Sequence, residues 1–246
     1  MTKANDWEIT QVCSSLWRGW SLDAASGVVV EVMDSCGYAF TERARGLCVG
    51  VAVQTVQDAR EHLPNLPREI LITVLADDEV IPETGDLGAA VAPGYVRWAV
   101  APSYPEGVEG VILRRFRPAL FHELHHLARG WVMYGYSPAL GDGLLDSVIS
   151  EGLATVFERE MTGIRPPWGR YPAEVEEWVE EMLNLPQAAS YEHWMYKHPD
   201  GRRWVGYKVG AYIVEKAEAN SGLSAAEMVT FPTEQVLKMA GIQRFV

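Results

Sequence analysis

The stretch His122-Glu123-Leu124-His125-His126 is the most informative part of this 246-residue sequence, because it has the spacing H-E-x-x-H. On a helix, which turns about 100° per residue, His122 and His126 lie only about 40° apart, one turn from each other. Two imidazoles placed in this way can bind one metal ion. The carboxylate of Glu123 can then reach a water on that ion, which is the general-base position of zinc hydrolases. The stretch therefore predicts a helical metal site.

The rest of that helix has an apolar side opposite the histidines. Leu120, Leu124 and Leu127 lie about 140–200° around the helix from His122. One face can pack into a core while the other faces a cleft. Histidines that point into a core without a metal would need other partners for four ring nitrogens. The alternative is a polar helix whose histidines are solvated or hydrogen-bonded.

A third metal ligand has to come from another segment, since a catalytic zinc has three protein ligands and one position open to water. Glu151 is the best candidate, because its helix is apolar nearly all round and a carboxylate there is costly unless it is paired or metal-bound. Small neighbours, Ser147, Ala154 and Thr155, leave room for an ion. Glu158, two turns along the same face, is a weaker candidate. A salt-bridged or exposed Glu151 is the alternative.

The distribution of strand and helix signals predicts an α+β fold in a single domain over residues 1–246. Residues 65–105 predict a small, mostly antiparallel sheet, with a strand over Ile70–Leu75. A hairpin follows, formed by Ala89–Ala92 and Tyr95–Val100 around Pro93-Gly94.

Residues 106–246 predict a predominantly helical part, and residues 1–64 are less informative. In the N-terminal part, Thr41–His62 has a mostly helical pattern, and Val28–Val32 fits either a strand or a helix. The helical part has five predicted helices. They are Pro118–Arg129 with Gly130 as C-cap, Leu144–Met161, one that opens at Pro172, Tyr207–Ala219, and one that starts at the capping box Ser224-Ala225-Ala226-Glu227.

Composition and charge exclude several classes of protein. The sequence has 21 Lys and Arg against 33 Asp and Glu, a formal net charge of −12, whereas nucleic acids and anionic membranes call for a basic surface. The local cluster Arg114, Arg115 and Arg117 is more often a solvated face. No apolar run approaches the ~20 residues of a membrane span, and the polar N-terminus leads into no signal segment, so we expect a cytoplasmic protein.

The cysteines favour neither a disulfide framework nor a Cys-ligated zinc site, because they are odd in number and contain no C-x-x-C pair. They are Cys13, Cys36 and Cys48.

The order of these motifs resembles that of the gluzincin metallopeptidases, in which H-E-x-x-H is followed by a ligand glutamate. Within this superfamily the chain is most similar to the YjaZ-like family of predicted zinc-dependent proteases, which has strands, a His-rich helix, an E-G-L-A helix and a G-Y…G-Y-type helix, here Gly206–Tyr212. The resemblance covers about residues 65–246. It implies a zincin-like helical part in which His122, His126 and Glu151 bind one zinc ion.

The resemblance also implies a peptide or protein substrate, with Glu123 as the base. A strand above the zinc helix would let the peptide add as an extra strand, and Tyr95–Val100 is our candidate. One position departs from the pattern. Thermolysin-type gluzincins carry an acidic residue four positions after the ligand glutamate, where this chain has Thr155. Another group, such as a backbone carbonyl, then has to orient the imidazoles.

Peptide hydrolysis further needs a donor for the developing oxyanion. Tyr207 is our first candidate, and Tyr212 and His193 are the next, although each has an ordinary alternative as a core, surface or loop residue. His125 can line the cleft without binding the metal.

Two other functions stay open at this point. A metallopeptidase-fold protein could bind a peptide or protein partner without cleaving it, which the departure at Thr155 favours and the intact H-E-x-x-H disfavours. A structural zinc site is a weaker alternative, because such sites are closed and rich in cysteine.

Overall fold

A computed structural model of the chain describes residues 27–134, 143–186 and 188–242. These residues form four strands, with one long helix between the first two, and then a mainly helical part, which confirms the α+β class. The strands are β1 (Val28–Met33), β2 (Ile70–Ala76), β3 (Asp86–Ala92) and β4 (Tyr95–Val100). The helices are α1 (Glu42–His62), α2 (Gly107–Val111), α3 (Arg117–Arg129), α4 (Leu144–Thr162), α5 (Val175–Leu183), α6 (Tyr191–Met195), α7 (Val205–Ser221) and α8 (Thr233–Met239).

The four strands form one mixed sheet in the order β1-β2-β4-β3. β2 pairs in parallel with both β1 and β4, and only the β3–β4 pair is antiparallel. The prediction of a mostly antiparallel sheet is therefore wrong, although its hairpin is confirmed. The reason is connectivity: α1 carries the chain from β1 back to the start of β2, which makes that pair parallel. The β3–β4 hairpin then turns back so that β4 lies between β2 and β3.

The ambiguous segment at Val28–Val32 is a strand whose valines alternate between core and surface. Val28, Val30 and Val32 are buried, which fits the period of two expected when one side of a strand packs on a core. The helix predicted from Thr41 is also confirmed. Thr41 caps it, because its Oγ1 accepts a hydrogen bond from the Ala44 N–H at 3.0 Å.

The helix predicted to start at Ser224 does not form. The capping box itself is present, since Ser224 N–H donates to Glu227 Oε2 at 2.8 Å and Glu227 N–H to Ser224 Oγ at 3.3 Å. The chain continues in turns up to Pro232, and α8 begins after it. Proline lacks an N–H and disfavours a helical conformation for the residue before it, so Phe231 cannot carry a helix onward.

Helix α2 runs into α3 through a π-helical turn, Ile112–Phe116. π turns insert one extra residue and are frequent at functional sites. Both Arg115 and Phe116 are buried in this turn. The expectation that the Arg114, Arg115 and Arg117 cluster is a solvated face is thus wrong for Arg115.

Two glycines let α7 cross α4 at close range. A Cβ atom on Gly152 would lie 2.3 Å from the carbonyl carbon of Gly210, and one on Gly210 would lie 2.1 Å from the Val148 carbonyl oxygen. No side chain fits at either position without moving the helices apart. This contact, one residue after Glu151, brings the start of α7 toward the predicted metal site.

We expect Gly152→Ala to lower the free energy of unfolding by about 1–3 kcal/mol, because the added methyl group overpacks the α4–α7 crossing. Gly46→Ala in α1 is the matched control: no atom lies within 4 Å of its Cβ position, so the same change should stabilise by about 0.4–1 kcal/mol. Urea unfolding of both variants measures the two effects, and equal shifts would contradict the close crossing.

No described helix is both long and apolar enough to cross a membrane. Of the cysteines, Cys36 is exposed and Cys48 is buried, and both are free thiols. Cys13 lies outside the described residues. The single domain stays a prediction.

Candidate metal centre

Two histidines on helix α3 approach each other as their spacing predicts. The Nε2 atoms of His122 and His126 lie 3.1 Å apart, and both side chains are buried. The helix continues directly from the π-helical turn, with Pro118 near its start, and Gly130 ends it with a φ of 76°. Helix α3 thus directs two imidazole nitrogens to one point inside the molecule.

Glu151 of α4 reaches the same point. Its Oε2 lies 3.1 Å from His122 Nε2 and 3.2 Å from His126 Nε2. The two helices pack together, with the rings of Phe121 and Phe157 edge to face at 5.8 Å. Burial acts to raise the pKa of Glu151, but the two histidines hold it well below its usual value. Burial acts to lower the pKa of His122, and the nearby carboxylates raise it to about 10.

These three atoms have the size and chemistry of a zinc site. Within the described part of the chain, His122, His126 and Glu151 are the group of side chains close enough together to hold a metal ion. In a tetrahedral site with bonds of about 2.0–2.1 Å, two ligand atoms lie about 3.3 Å apart. The distances here are 3.1–3.2 Å. Two imidazoles and one carboxylate are a ligand set that zinc accepts, so the residues fit this metal.

Glu158 lies behind His122 and not at the metal position. Its Oε2 is 3.5 Å from His122 Nδ1, and neither atom has a hydrogen-bond partner among the described residues. The carboxylate lies on the side of the ring opposite Nε2, the position that an outer partner of a metal-bound histidine usually takes. An acidic residue thus lies beside His122 seven positions after Glu151, whereas the position four residues after Glu151 is Thr155.

A chain of buried polar groups fixes Glu158 in turn. Arg115 donates to Glu158 Oε1 at 3.3 Å and to Asp86 Oδ1 at 3.2 Å, and Trp98 Nε1 donates to Asp86 Oδ2 at 3.1 Å. All four side chains are buried. Burial acts to lower the pKa of Arg115, but its two carboxylate partners raise it. The chain links strand β3, through Asp86, to the back of His122.

We expect Glu158→Gln to weaken zinc binding by about 10–100-fold, the usual cost of removing an outer partner of a metal ligand. The amide has the same shape but no negative charge to hold the imidazole N–H. Competition with a chelator of known affinity measures the change. Thr155→Val on the same helix is the control and should bind zinc as the wild type does. Equal affinities in all three proteins would contradict the role of Glu158.

Glu123 has the surroundings of a general base. Its carboxylate lies under strand β3, where a Cβ on Gly88 would be only 2.7 Å from Glu123 Oε1. Burial raises the pKa of Glu123, while the charges of His122 and His126 and the N–H of Ala90 lower it in part. A raised pKa brings a carboxylate closer to the value that proton transfer near neutral pH needs.

Of the three candidate oxyanion donors, the structure brings one to the centre. Tyr207, at the start of α7, lines the same cavity as His122 and Glu123. Burial and the charge of Glu151 raise its pKa well above the usual value, so its hydroxyl stays protonated. Tyr212 lies elsewhere: its hydroxyl donates to Glu176 and its ring packs on Tyr171.

The two other histidines do not join the centre in the described structure. His193 is exposed on α6, and none of the contacts of the described residues connects its side chain to the metal ligands. His125 is fully buried, with Nε2 3.3 Å from the Ala225 carbonyl oxygen and its ring on Phe157. It packs in the core and does not line the cleft as the sequence suggested.

Two tyrosines near the centre were not predicted. Partial burial, first, and then the negative charge of Glu151 raise the pKa of both Tyr191 and Tyr196, which are 43% and 41% exposed, and their rings pack edge to face at 6.0 Å. They lie on and just after α6, which reaches the centre only through tertiary packing. The sequence around them contains no local signal for this placement.

A cavity of about 60 Å³ opens beside His122 and Glu123. Ile81, Leu87, Trp168 and Trp204 supply much of its wall. The indole N–H groups of both tryptophans are buried and have no partner among the described residues. Trp204 has a φ of 60°, a strained conformation for a bulky residue that is often found at functional sites.

The strand above the metal helix is β3 and not β4. β4 lies inside the sheet between β2 and β3, so its hydrogen-bonding groups are taken on both sides. β3 is the edge strand, and its Gly88 lies over Glu123. The prediction that a peptide could pair with Tyr95–Val100 is therefore wrong, and β3 is the edge strand that lies next to Glu123.

A family model described as "Predicted Zn-dependent protease (DUF2268)" matches residues 48–238. No curated protein matches the chain. The matched range contains His122, His126 and Glu151 as well as Glu123, Glu158 and Tyr207.

Proposed function

This chain belongs to the family of predicted Zn-dependent proteases, and on that premise we propose that it is a zinc metallopeptidase of the gluzincin type. His122, His126 and Glu151 would bind the ion, and Glu123 would be the general base. The observation that carries the proposal is the triangle of ligand atoms at 3.1–3.2 Å with a second buried carboxylate beside it. A structural zinc site has no use for that second carboxylate.

When bound, zinc supplies Lewis-acid chemistry: it polarises a peptide carbonyl and makes a water molecule more acidic. Glu123 takes the proton of the attacking water and then delivers it to the amine that leaves. Its raised pKa suits both steps, because the carboxylate must accept a proton and release it within one turnover. The neighbouring N–H of Ala90 holds the carboxylate in place during this transfer.

Tyr207 would donate a hydrogen bond to the oxygen of the scissile carbonyl as negative charge develops on it. A donor that is aligned before the reaction stabilises this charge more than it stabilises the neutral substrate. The hydroxyl has the required protonation state, since burial keeps its pKa high. The ring is held by Trp204, which packs against it edge to face at 5.6 Å.

We expect Tyr207→Phe to lower kcat by about 10²–10³-fold with little change in KM, since the lost hydrogen bond forms only in the transition state. Tyr212→Phe removes a hydroxyl from the same helix but far from the ligands, and it should leave both constants unchanged. Steady-state kinetics on one peptide compare the two variants. An unchanged kcat in Tyr207→Phe would transfer this role to Tyr191 or Tyr196.

Substrate backbone would pair with the free side of β3 above Glu123, and a substrate side chain would enter the adjacent cavity. One argument from the sequence favoured a protein that binds peptides without cleaving them, namely the missing acid at Thr155. Glu158 weakens that argument, because it offers His122 the same support.

A mixed peptide library incubated with the zinc-loaded protein tests the activity. We expect new peptide termini, detected by mass spectrometry, that disappear when zinc is removed with a chelator and return when zinc is added. Binding of library peptides to the zinc-loaded protein without any cleavage would contradict the proposal.

A further inference from the structure

The outer side of strand β3 is partly occupied by the chain itself. Residues with even numbers direct their carbonyl groups away from β4: Asp86 C=O accepts from Ile81 N–H at 3.1 Å, and Ala90 C=O accepts from Met133 N–H at 3.0 Å. Gly85 C=O, by contrast, accepts from Ala101 N–H on the β4 side at 3.0 Å. This alternation is the normal pattern of an antiparallel edge strand.

The same alternation directs the N–H and C=O of Gly88 outward, between the two occupied positions. None of the described residues outside the sheet bonds to them. A peptide that pairs with β3 would therefore be held at Gly88, directly over Glu123. The N–H of Tyr134 also bonds to Val91 C=O at 2.9 Å, so the occupied part continues beyond Ala90.

The free interval is short. Asp86 and Ala90 are four residues apart, which in a strand is a length of about 14 Å. Ile81 and Met133 lie at the two ends of the line that a paired peptide would follow. They block this line, and we call them the two walls of the interval. With respect to the described residues, the positions opposite Leu87, Gly88 and Ala89 are open, which is room for about three residues.

The wall formed by Ile81 is held from several sides. Arg114 Nη2 donates to Thr84 C=O at 3.0 Å and Tyr104 OH to Glu83 C=O at 3.1 Å. Glu83 also forms an ion pair with Arg203 at 2.5 Å. These bonds attach the turn before β3 to the π-helical turn and to the start of α7.

The wall formed by Met133 is attached to the metal helix. Trp131 N–H bonds to His126 C=O at 2.9 Å, and Val132 is buried. Met133 follows at once, so its position is tied to the end of α3. Both walls are thus part of the folded framework around the centre.

We propose that the substrates of this site are short peptides of about three residues, and not internal segments of long chains. The inference rests on the proposed function for its chemistry, but the length limit follows from the contacts of β3. A longer peptide would have to leave the edge of the sheet on both sides of Gly88, which costs it backbone hydrogen bonds and meets Ile81 and Met133.

Binding tests the length limit separately from catalysis. The zinc-loaded Glu123→Gln protein is titrated with two peptides whose ends are blocked. One is a tripeptide that has leucine in the middle, and the other is the same sequence extended by glycine and serine to nine residues. We expect the nine-residue peptide to bind at least tenfold more weakly. Binding of the long peptide as tight as or tighter than that of the short one, or no binding of either, overturns the proposal.

Hydrolysis of the same two peptides by the wild type separates the two proposals. Cleavage of the tripeptide at a kcat/KM at least tenfold higher supports both. Equal or faster cleavage of the nine-residue peptide overturns the length limit and leaves the peptidase intact. No cleavage of either peptide, with the expected order of binding, overturns the peptidase and leaves the length limit standing.

A pair of variants tests the Met133 wall. Met133→Pro removes the N–H that bonds to Ala90, whereas Met133→Ala keeps it and shortens only the exposed side chain. We expect the ratio of kcat/KM for the long and short peptides to rise several-fold in Met133→Pro and to stay unchanged in Met133→Ala. A folded Met133→Pro protein with the same ratio of kcat/KM as the wild type would contradict the role of Met133 as a wall. If Met133→Pro does not fold, the comparison of the long and short peptides on the wild-type protein decides the question.

Discussion

Replacing Glu123 by Gln is expected to lower the rate of peptide hydrolysis by about 10²–10⁴-fold while zinc stays bound. The amide keeps the size of the side chain but cannot take a proton from water. Glu123 is not one of the three residues that supply the ligand atoms, so the metal keeps all its protein ligands in this variant. The variant also removes a buried carboxyl next to two histidines, so its fold needs to be checked by circular dichroism.

The measurement combines kcat on a peptide from the library with zinc content by elemental analysis. Glu180→Gln is the matched control, because Glu180 is an exposed residue of α5 and its loss should change neither value. Turnover of Glu123→Gln at the wild-type rate would contradict the mechanism. Loss of zinc in this variant would mean that Glu123 contributes to the metal site itself.

Removing one metal ligand is expected to have the second large effect. Protein purified without added metal should contain about one equivalent of zinc, and His126→Ala should contain almost none. The variant leaves two ligands, His122 and Glu151, where a stable zinc site in a protein has at least three. Hydrolysis should disappear together with the metal.

His193→Ala is the matched control for this experiment. It removes a histidine that is exposed on α6 and away from the ligands, so zinc content and activity should both stay at the wild-type level. Zinc retained by His126→Ala, or an absence of metal from a folded wild type, would contradict the site. Loss of zinc in His193→Ala would contradict its place away from the ligands, whereas loss of activity with zinc retained would support the oxyanion-donor role that the sequence suggested.

Parts of this protein follow directly from local sequence. The H-E-x-x-H spacing places two imidazoles one turn apart on any helix, and Gly130 ends that helix in a left-handed conformation. The period of seven between Glu151 and Glu158 puts both on one face of α4. The order of strands and helices likewise gave the α+β class, since the relevant patterns repeat within a few residues.

What the sequence could not determine depends on contacts between distant segments. Whether Glu158 binds the metal or supports His122 depends on how α4 packs against α3, and Arg115 is buried because a π-helical turn faces Asp86 and Glu158. A tyrosine pattern alone does not distinguish Tyr207 from Tyr212; their places follow from the glycine crossing of α4 and α7.

The edge of the sheet is the clearest example. Local sequence marked both β3 and β4 as strands of a hairpin, with nothing to indicate which one lies outside. That choice depends on the pairing of β4 with β2, in which Tyr95 lies opposite Leu71, a residue 24 positions earlier in the chain. Sequence by itself therefore determined the metal-binding helix, its ligands and its base as predictions. Tertiary structure alone decided which strand lies over them and how much of that strand is free, because strand order is set by long-range hydrogen bonds and not by local propensity.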